Sequence, residues 1–177
     1  NVMDYARPPA APDDFAGNLR QDLGLKADEK LILQPTRVVQ RKGIEHAIEL
    51  VSRLEQPARL VISHAAGDEG REYEKRVHDY SLRMGVPTLF VSDLIQEVRA
   101  VLPDGRRVYT LADAYPQSDL VTYPSEIEGF GNAFLEAVYF RRPIVVNNYS
   151  IYEIDIKPKG FHAIEFDGFI TDQCVKE

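Results

Sequence analysis

Residues 119–123 form a short apolar run rich in β-branched and aromatic side chains, and residues 132–140 repeat their apolar positions at helical spacing. With Pro124-Ser125-Glu126-Ile127-Glu128-Gly129-Phe130-Gly131 between them, the order is strand, loop, helix. The same alternation runs through the chain. Residues 30–34, 59–63, 88–92, 142–146 and 163–166 read as further buried strands, the fourth with Pro143 at its first position, where a missing N–H is tolerated. Residues 43–54, with Ile44, Ala47, Ile48, Val51 and Leu54 on one face, read as a helix, as do the charged residues 69–84, with Tyr73, Val77, Tyr80 and Leu82 turned to the sheet. Strands alternating with helices at this spacing point to an α/β fold in which an open parallel sheet is covered on both faces. Ligands of such sheets bind along the carboxyl edge, so chemistry is expected in the loops that follow strands.

The loop 124–131 is suited to such a role. Gly129 and Gly131 bracket Phe130, and glycine permits both a close backbone approach to a ligand and backbone angles closed to other residues. A helix starting at Asn132 aims free N–H groups and a partial positive charge into the loop, which suits a phosphate or a sugar hydroxyl. Glu128 falls in the loop ahead of that helix, where a carboxylate is favoured, and Glu136 points back to the same mouth from the second turn. Ionised carboxylates accept hydrogen bonds and vicinal hydroxyls supply them in pairs, so the two glutamates suit a polyhydroxylated ligand. An isolated Glu-x7-Glu is more often a dipole partner and a solvated surface residue; the Pro-Ser before it and the Gly-Phe-Gly inside it shift the balance toward a binding site.

The loop after the first strand carries the opposite charge. Arg37 and Lys42 offer a forked guanidinium and a flexible ammonium that can grip a diphosphate, one bidentate and the other as a point charge. Taken alone, such a pair is more often a solvated cluster. Arg41 is a weaker candidate, and a lone histidine such as His64 is usually a surface or packing residue. Asn147 and Tyr149 follow another strand end, in a segment whose composition also suits a simple turn.

A chain of 177 residues suffices for one domain with a sizeable core. Its formal charge of -7 opposes nonspecific nucleic-acid binding but leaves room for a local basic pocket. The single cysteine, Cys174, can make no internal disulfide and has no companions for a zinc site. No apolar run approaches a membrane span and nothing at the start resembles a signal peptide, so the reading is a cytoplasmic protein. Strings of the Gly-x-Gly-x-x-Gly, Gly-Lys-Ser/Thr and Gly-x-Ser-x-Gly kinds are missing, which disfavours dehydrogenases, P-loop enzymes and hydrolases. The remaining segments are connective. Residues 7–14, with Pro8, Pro9 and Pro12, read as an extended linker, and 15–23 as a short helix capped by Asp13-Asp14 and stopped at Gly24. Residues 93–107 read as a hairpin or irregular excursion around Pro103-Asp104-Gly105, 111–115 as a short helix, and 172–177 as the opening of another.

Pro124-Ser125, Glu128-Gly129-Phe130-Gly131 and Glu136-Ala137 together resemble the Glu-x7-Glu signature of retaining nucleotide-sugar glycosyltransferases of the GT-B fold, particularly the large family 4, of group 1 type. Pro35-Thr36-Arg37 through Arg41-Lys42-Gly43 resembles the Arg-x4-Lys-Gly element of the same family. Residues 111–120 resemble its short helix leading into an Ala-Asp strand, with Ser118 where Ala is usual. The resemblance implies a Rossmann-like open parallel sheet forming one half of a GT-B fold. Residues 1–14 would be a linker from a missing N-terminal domain, and 15–177 a nucleotide-sugar-binding domain truncated at its C-terminus. It implies that Arg37 and Lys42 bind the diphosphate and stabilise it as leaving group. Glu128 and the backbone of Phe130, Gly131 and Asn132 would contact the transferred sugar, and Glu136 would hold the ribose. The base is expected to lodge by Val91 and Ser92, with Asn147 and Tyr149 facing the donor.

The implied activity is transfer of a hexose from a UDP-, GDP- or ADP-hexose, with retention of configuration, to an acceptor held mainly by the missing N-terminal domain. This chain alone would bind nucleotide and transfer nothing at a useful rate. During transfer, negative charge builds on the departing diphosphate, where Arg37, Lys42 and the helix N-terminus stabilise it, and positive charge builds at the anomeric carbon, where a carboxylate tolerates it. The scheme calls for no metal and no cofactor beyond the donor itself, and for no nucleic-acid partner or integral membrane segment. Two rivals stay open: another GT-B enzyme, such as a sugar-nucleotide epimerase or a phosphorylase, and a noncatalytic nucleotide-binding module in which the glutamates only support structure.

Overall fold

The computed structural model describes residues 4–67 and 71–177. Its strands are β1 (Lys30–Gln34), β2 (Ala58–Ile62), β3 (Thr88–Phe90), β4 (Ala100–Val101), β5 (Arg107–Val108), β6 (Leu120–Tyr123), β7 (Ile144–Asn147) and β8 (Ile164–Phe166). Its helices are α1 (Asp14–Gly17), α2 (Leu19–Asp22), α3 (Ile44–Ser52), α4 (Arg71–Arg83), α5 (Leu111–Gln117), α6 (Asn132–Tyr139) and α7 (Asp172–Lys176). Six strands pair in parallel in the order β3-β2-β1-β6-β7-β8. The chain begins in the middle of this sheet, steps out to β3, then returns past β1 to lay down the other half. The result is the Rossmann-like α/β sheet expected from the alternation of strand and helix patterns.

Successive side chains of a strand face opposite sides, and the core divides accordingly. Leu31, Leu33, Val61, Val121 and Tyr123 meet Tyr115 of α5 and Ala133, Phe134 and Ala137 of α6 on one face. Ile32, Leu60 and Ile62 meet Ile44, Ala47 and Ile48 of α3 and Tyr73 and Val77 of α4 on the other. A smaller cluster of Leu50, Val145, Phe166, Ile170 and Cys174 closes the β8 side, where burial pushes the Cys174 thiol up. At the carboxyl ends of β1 and β6 the fully buried Gln34 is satisfied on both sides. Its amide donates to Thr36 Oγ1 at 2.8 Å, and its carbonyl accepts from Thr122 Oγ1 at 2.6 Å.

Several elements depart from the sequence expectation. The helix expected over 15–23 breaks into α1 and α2 at Asn18, whose side-chain amide donates to the Asp14 carbonyl and competes with the helical backbone. In α4, Tyr73, Val77 and Ser81 are buried at four-residue steps, so Leu82 falls past the buried stripe and is 67% exposed. The expected onset of that helix at Glu69 lies outside the described residues. Pro143 immediately precedes β7 rather than opening it. The turn 103–105 does make an antiparallel hairpin, β4 against β5. Among the described residues, 3-10 turns at Gln40–Lys42 and Lys157–Lys159 and a π-helical segment at Tyr152–Ile156 carried no sequence signal. Among the described residues no helix is long and apolar enough to cross a membrane.

Candidate functional site

The strand order reverses between β1 and β6, and at such a switch point the outgoing loops diverge to leave a crevice at the carboxyl edge. The loops after β1 and β6 are nevertheless pinned to one another at their bases. The Glu126 amide donates to the Arg41 carbonyl at 2.9 Å, and Gly43, with φ 56°, lies so near Pro124 that a Cβ there would stand 2.5 Å from the Pro124 carbonyl oxygen. The glycine after Lys42 is thus required by the packing of one loop on the other.

Where these loops part they bound a cleft of about 1070 Å³. Arg37, Arg41, Lys42 and His64 line it from the first half of the sheet, and Tyr123, Glu128, Phe130, Gly131, Asn132 and Glu136 from the second. The charged residues singled out from the sequence, Arg37, Lys42, Glu128 and Glu136, therefore share one cleft.

Lys42 sits at the end of the 3-10 turn and pairs through Nζ with Glu128 Oε1, while Arg41 Nη1 stands 3.9 Å from Oε2. The paired side chains are only 11% and 9% exposed. Burial first, and then the nearby Glu128 charge, raise the Tyr123 phenol far above the ordinary range. The Lys42 ammonium lies 5.8 Å from the Tyr123 ring centroid, a cation–π contact that adds to the pairing.

Gly131, with φ 97° in the left-handed region, turns the chain from the loop into α6. Phe134 and Leu135 donate to the Gly131 carbonyl, which leaves the amides of Asn132 and Ala133 at the cleft without helical acceptors. A Cβ on Gly131 would stand 2.6 Å from the Tyr149 hydroxyl, so glycine is demanded here twice, by conformation and by space. Glu136, one turn on, accepts from Tyr115 Oη at 2.8 Å. Burial pushes its carboxyl up, and the Tyr115 bond only partly opposes this.

Val91 and Ser92 do not carry the end of the cleft. Val91 donates its amide to Ile62 and buries its side chain in the core, and the lining residues of this segment are Ile95, Gln96 and Glu97. Asn147 is buried and occupied, donating to the Ser125 carbonyl at 3.4 Å and accepting from the Gly168 amide at 3.0 Å. Tyr149 lies beneath Gly131 rather than in the open cleft. His64, of a kind that is usually a surface or packing residue, lines the cleft with Nδ1 2.7 Å from Ser63 Oγ. Burial, and then the charges of Arg37 and Lys42, lower its pKa, so it is neutral at pH 7. Its position at the end of β2 was the only signal that could have found it.

The family model for glycosyl transferases, group 1, matches residues 29–165. Mannosylglucosylglycerate synthase from Thermotoga maritima is 29% identical over 193 residues, covering 100% of this chain and 42% of that protein. The enzyme of the same name from Petrotoga mobilis is 27% identical over 182 residues, covering 93% of this chain and 42% of that protein. The chain thus spans less than half the length of these curated relatives. Among solved structures, Anabaena HepE in complex with UDP-glucose superposes with a TM-score of 0.71 at 20% identity, over 96% of this chain and 43% of that one. The likeness at this identity is one of fold, a Rossmann-like half of the GT-B architecture.

Proposed function

The chain belongs to the group 1 glycosyl transferases, and from that premise we propose that it is the donor-binding domain of a retaining hexosyltransferase. The observation that carries this reading is the convergence of Arg37, Lys42, Glu128 and Glu136, from two loops on either side of the switch point, on one cleft. The donor is a nucleotide-diphosphate hexose built on UDP, GDP or ADP. The UDP-glucose complex of a protein sharing this fold supports that donor class.

In this scheme Arg37 and Lys42 grip the diphosphate, assisted by the free amides at the start of α6, and stabilise the charge that grows on it as it leaves. Glu136 accepts hydrogen bonds from the ribose hydroxyls, and its raised carboxyl reflects a place sheltered from water. Glu128 contacts the sugar, where a carboxylate favours the positive charge that develops at the anomeric carbon. The backbone of Phe130, Gly131 and Asn132 approaches the sugar hydroxyls. Since the relatives extend well beyond the matched part, the acceptor is assigned to a further domain of the longer protein.

A thermal-shift screen with UDP, GDP, ADP and their hexose conjugates tests the reading, because a ligand that binds only the folded chain raises its melting temperature. One base is expected to stabilise the chain, with its hexose conjugate stabilising at least as well. No shift with any of them would remove the donor-site assignment.

A further inference from the structure

Tyr149 is 2% exposed, and its hydroxyl finds no hydrogen-bond partner among the described residues. A buried hydroxyl left unpaired is destabilising, so one that serves only packing is better replaced by hydrogen. Packing does not demand it. The ring lies edge-on to Tyr123 with centroids 6.0 Å apart and tilted against Tyr152 at 5.9 Å, contacts that a phenylalanine ring would keep.

The surroundings identify an acceptor. The hydroxyl lies directly under Gly131, in the loop that carries Glu128, and Gly131 has no side chain where one would meet it at 2.6 Å. Burial, and then the Glu128 charge, push the phenol up to about 12, so it is a donor at any physiological pH. Glu128 is at present held by Lys42, with Arg41 further off. In the donor-site reading above, Lys42 turns toward the diphosphate. A carboxylate this deeply buried cannot lose its cation without gaining other donors.

We propose that Tyr149 is a positioning residue: as Lys42 turns to the donor's diphosphate, the Tyr149 hydroxyl donates to the released Glu128 carboxylate and holds it toward the sugar. The inference rests on the donor-site reading above. The Tyr149 hydroxyl then takes the place of the ammonium. A neutral donor fixes the carboxylate without neutralising it, and its charge stays available to the anomeric carbon.

Calorimetry on the Tyr149→Phe chain with UDP, GDP and ADP tests this. The nucleotide that binds the unaltered chain should bind the variant about tenfold more weakly, the scale of one hydrogen bond to a charged group. In a Glu128→Gln background the same substitution should change affinity by less than about twofold, since the acceptor charge is gone. In the absence of nucleotide, Tyr149→Phe should leave the melting temperature unlowered when Lys42 is present and lower it in a Lys42→Met chain, where Glu128 already needs the hydroxyl. Equal affinity of variant and unaltered chain, an equal loss in both Glu128 backgrounds, or no difference between the two Lys42 backgrounds overturns the role of Tyr149 and leaves the donor site standing. Failure of the unaltered chain to bind any of the three nucleotides overturns both.

Discussion

Lys42 and Glu128, 86 residues apart in sequence, form an ion pair in which each side chain is about a tenth exposed. The pair joins the loop after β1 to the loop after β6 across the switch point, so it links the folding of the two half-sheets to the geometry of the cleft. Removing one partner of a buried pair leaves the other charged and uncompensated. Glu128→Ala is therefore expected to lower stability by about 2–4 kcal/mol, and Lys42→Met combined with Glu128→Leu to recover most of that. Urea unfolding of the single and double variants measures both. A double variant no more stable than Glu128→Ala would show that packing rather than charge sets the loss.

Gly131→Ala forces a side chain into φ 97° and against the Tyr149 hydroxyl. Conformational strain and overpacking together should cost about 2–4 kcal/mol. Part of that cost is steric and specific to one oxygen atom, so Tyr149→Phe in the same chain should return roughly 1 kcal/mol. Additive losses in the double variant would contradict the close approach of these two groups.

Asp113 anchors the start of α5, which lines the cleft through Thr110, Leu111 and Ala112. It accepts from the Thr110 amide at 2.8 Å and pairs with Arg99, which also holds Asp13 at 2.7 Å. Burial alone would raise the Asp113 carboxyl, but the bonds from Arg99 and Thr110 outweigh it and the net shift is downward. A carboxyl whose folded pKa is depressed contributes stability above its unfolded value and loses it as pH falls through the folded one. The acid limb of the stability curve below about pH 4 should accordingly flatten in Asp113→Asn, with melting at pH 7 lowered. Unchanged acid unfolding in the variant would place the sensitivity elsewhere.

Glu136 has the opposite sign. Its carboxyl is raised by burial, so the folded chain is favoured as pH falls through that raised value and loses this contribution as pH rises. Glu136→Gln should keep or improve stability at neutral pH while weakening nucleoside diphosphate binding about tenfold. That split separates a group retained for binding from one retained for structure. Loss of stability with unchanged affinity would assign Glu136 to structure.

What the sequence disclosed and what it withheld follow from the range of the interactions. The strand at Lys30–Gln34 was legible because its centre, Leu31-Ile32-Leu33, is buried on both faces and apolar, and the turn at Gly105 because few residues adopt φ 85°. The elements bearing Arg37, Lys42, Glu128 and Glu136 were placed at strand ends by local pattern, and parallel pairing then carries those ends to one edge. Leu82 was misplaced because one residue of helical phase separates a buried from an exposed side chain. Val91 stands at a strand end, as expected, but its amide continues the ladder to Ile62 and its side chain packs into the core. The contact of Lys42 with Glu128, the orphaned hydroxyl of Tyr149 and the cleft position of His64 all depend on loops meeting across the sheet, and no local periodicity encodes such meetings.

A diphosphate lying between the β1 loop and the start of α6 is the central requirement of the donor site. Calorimetric titration of UDP, GDP and ADP into the unaltered chain, Arg37→Ala and Lys42→Met addresses that point directly. Expected is saturable binding of at least one nucleotide by the unaltered chain, with affinity reduced about tenfold or more in each variant, the scale of a lost charge-assisted contact. Absence of binding by the folded chain, or variants that bind as tightly as the unaltered protein, would contradict it.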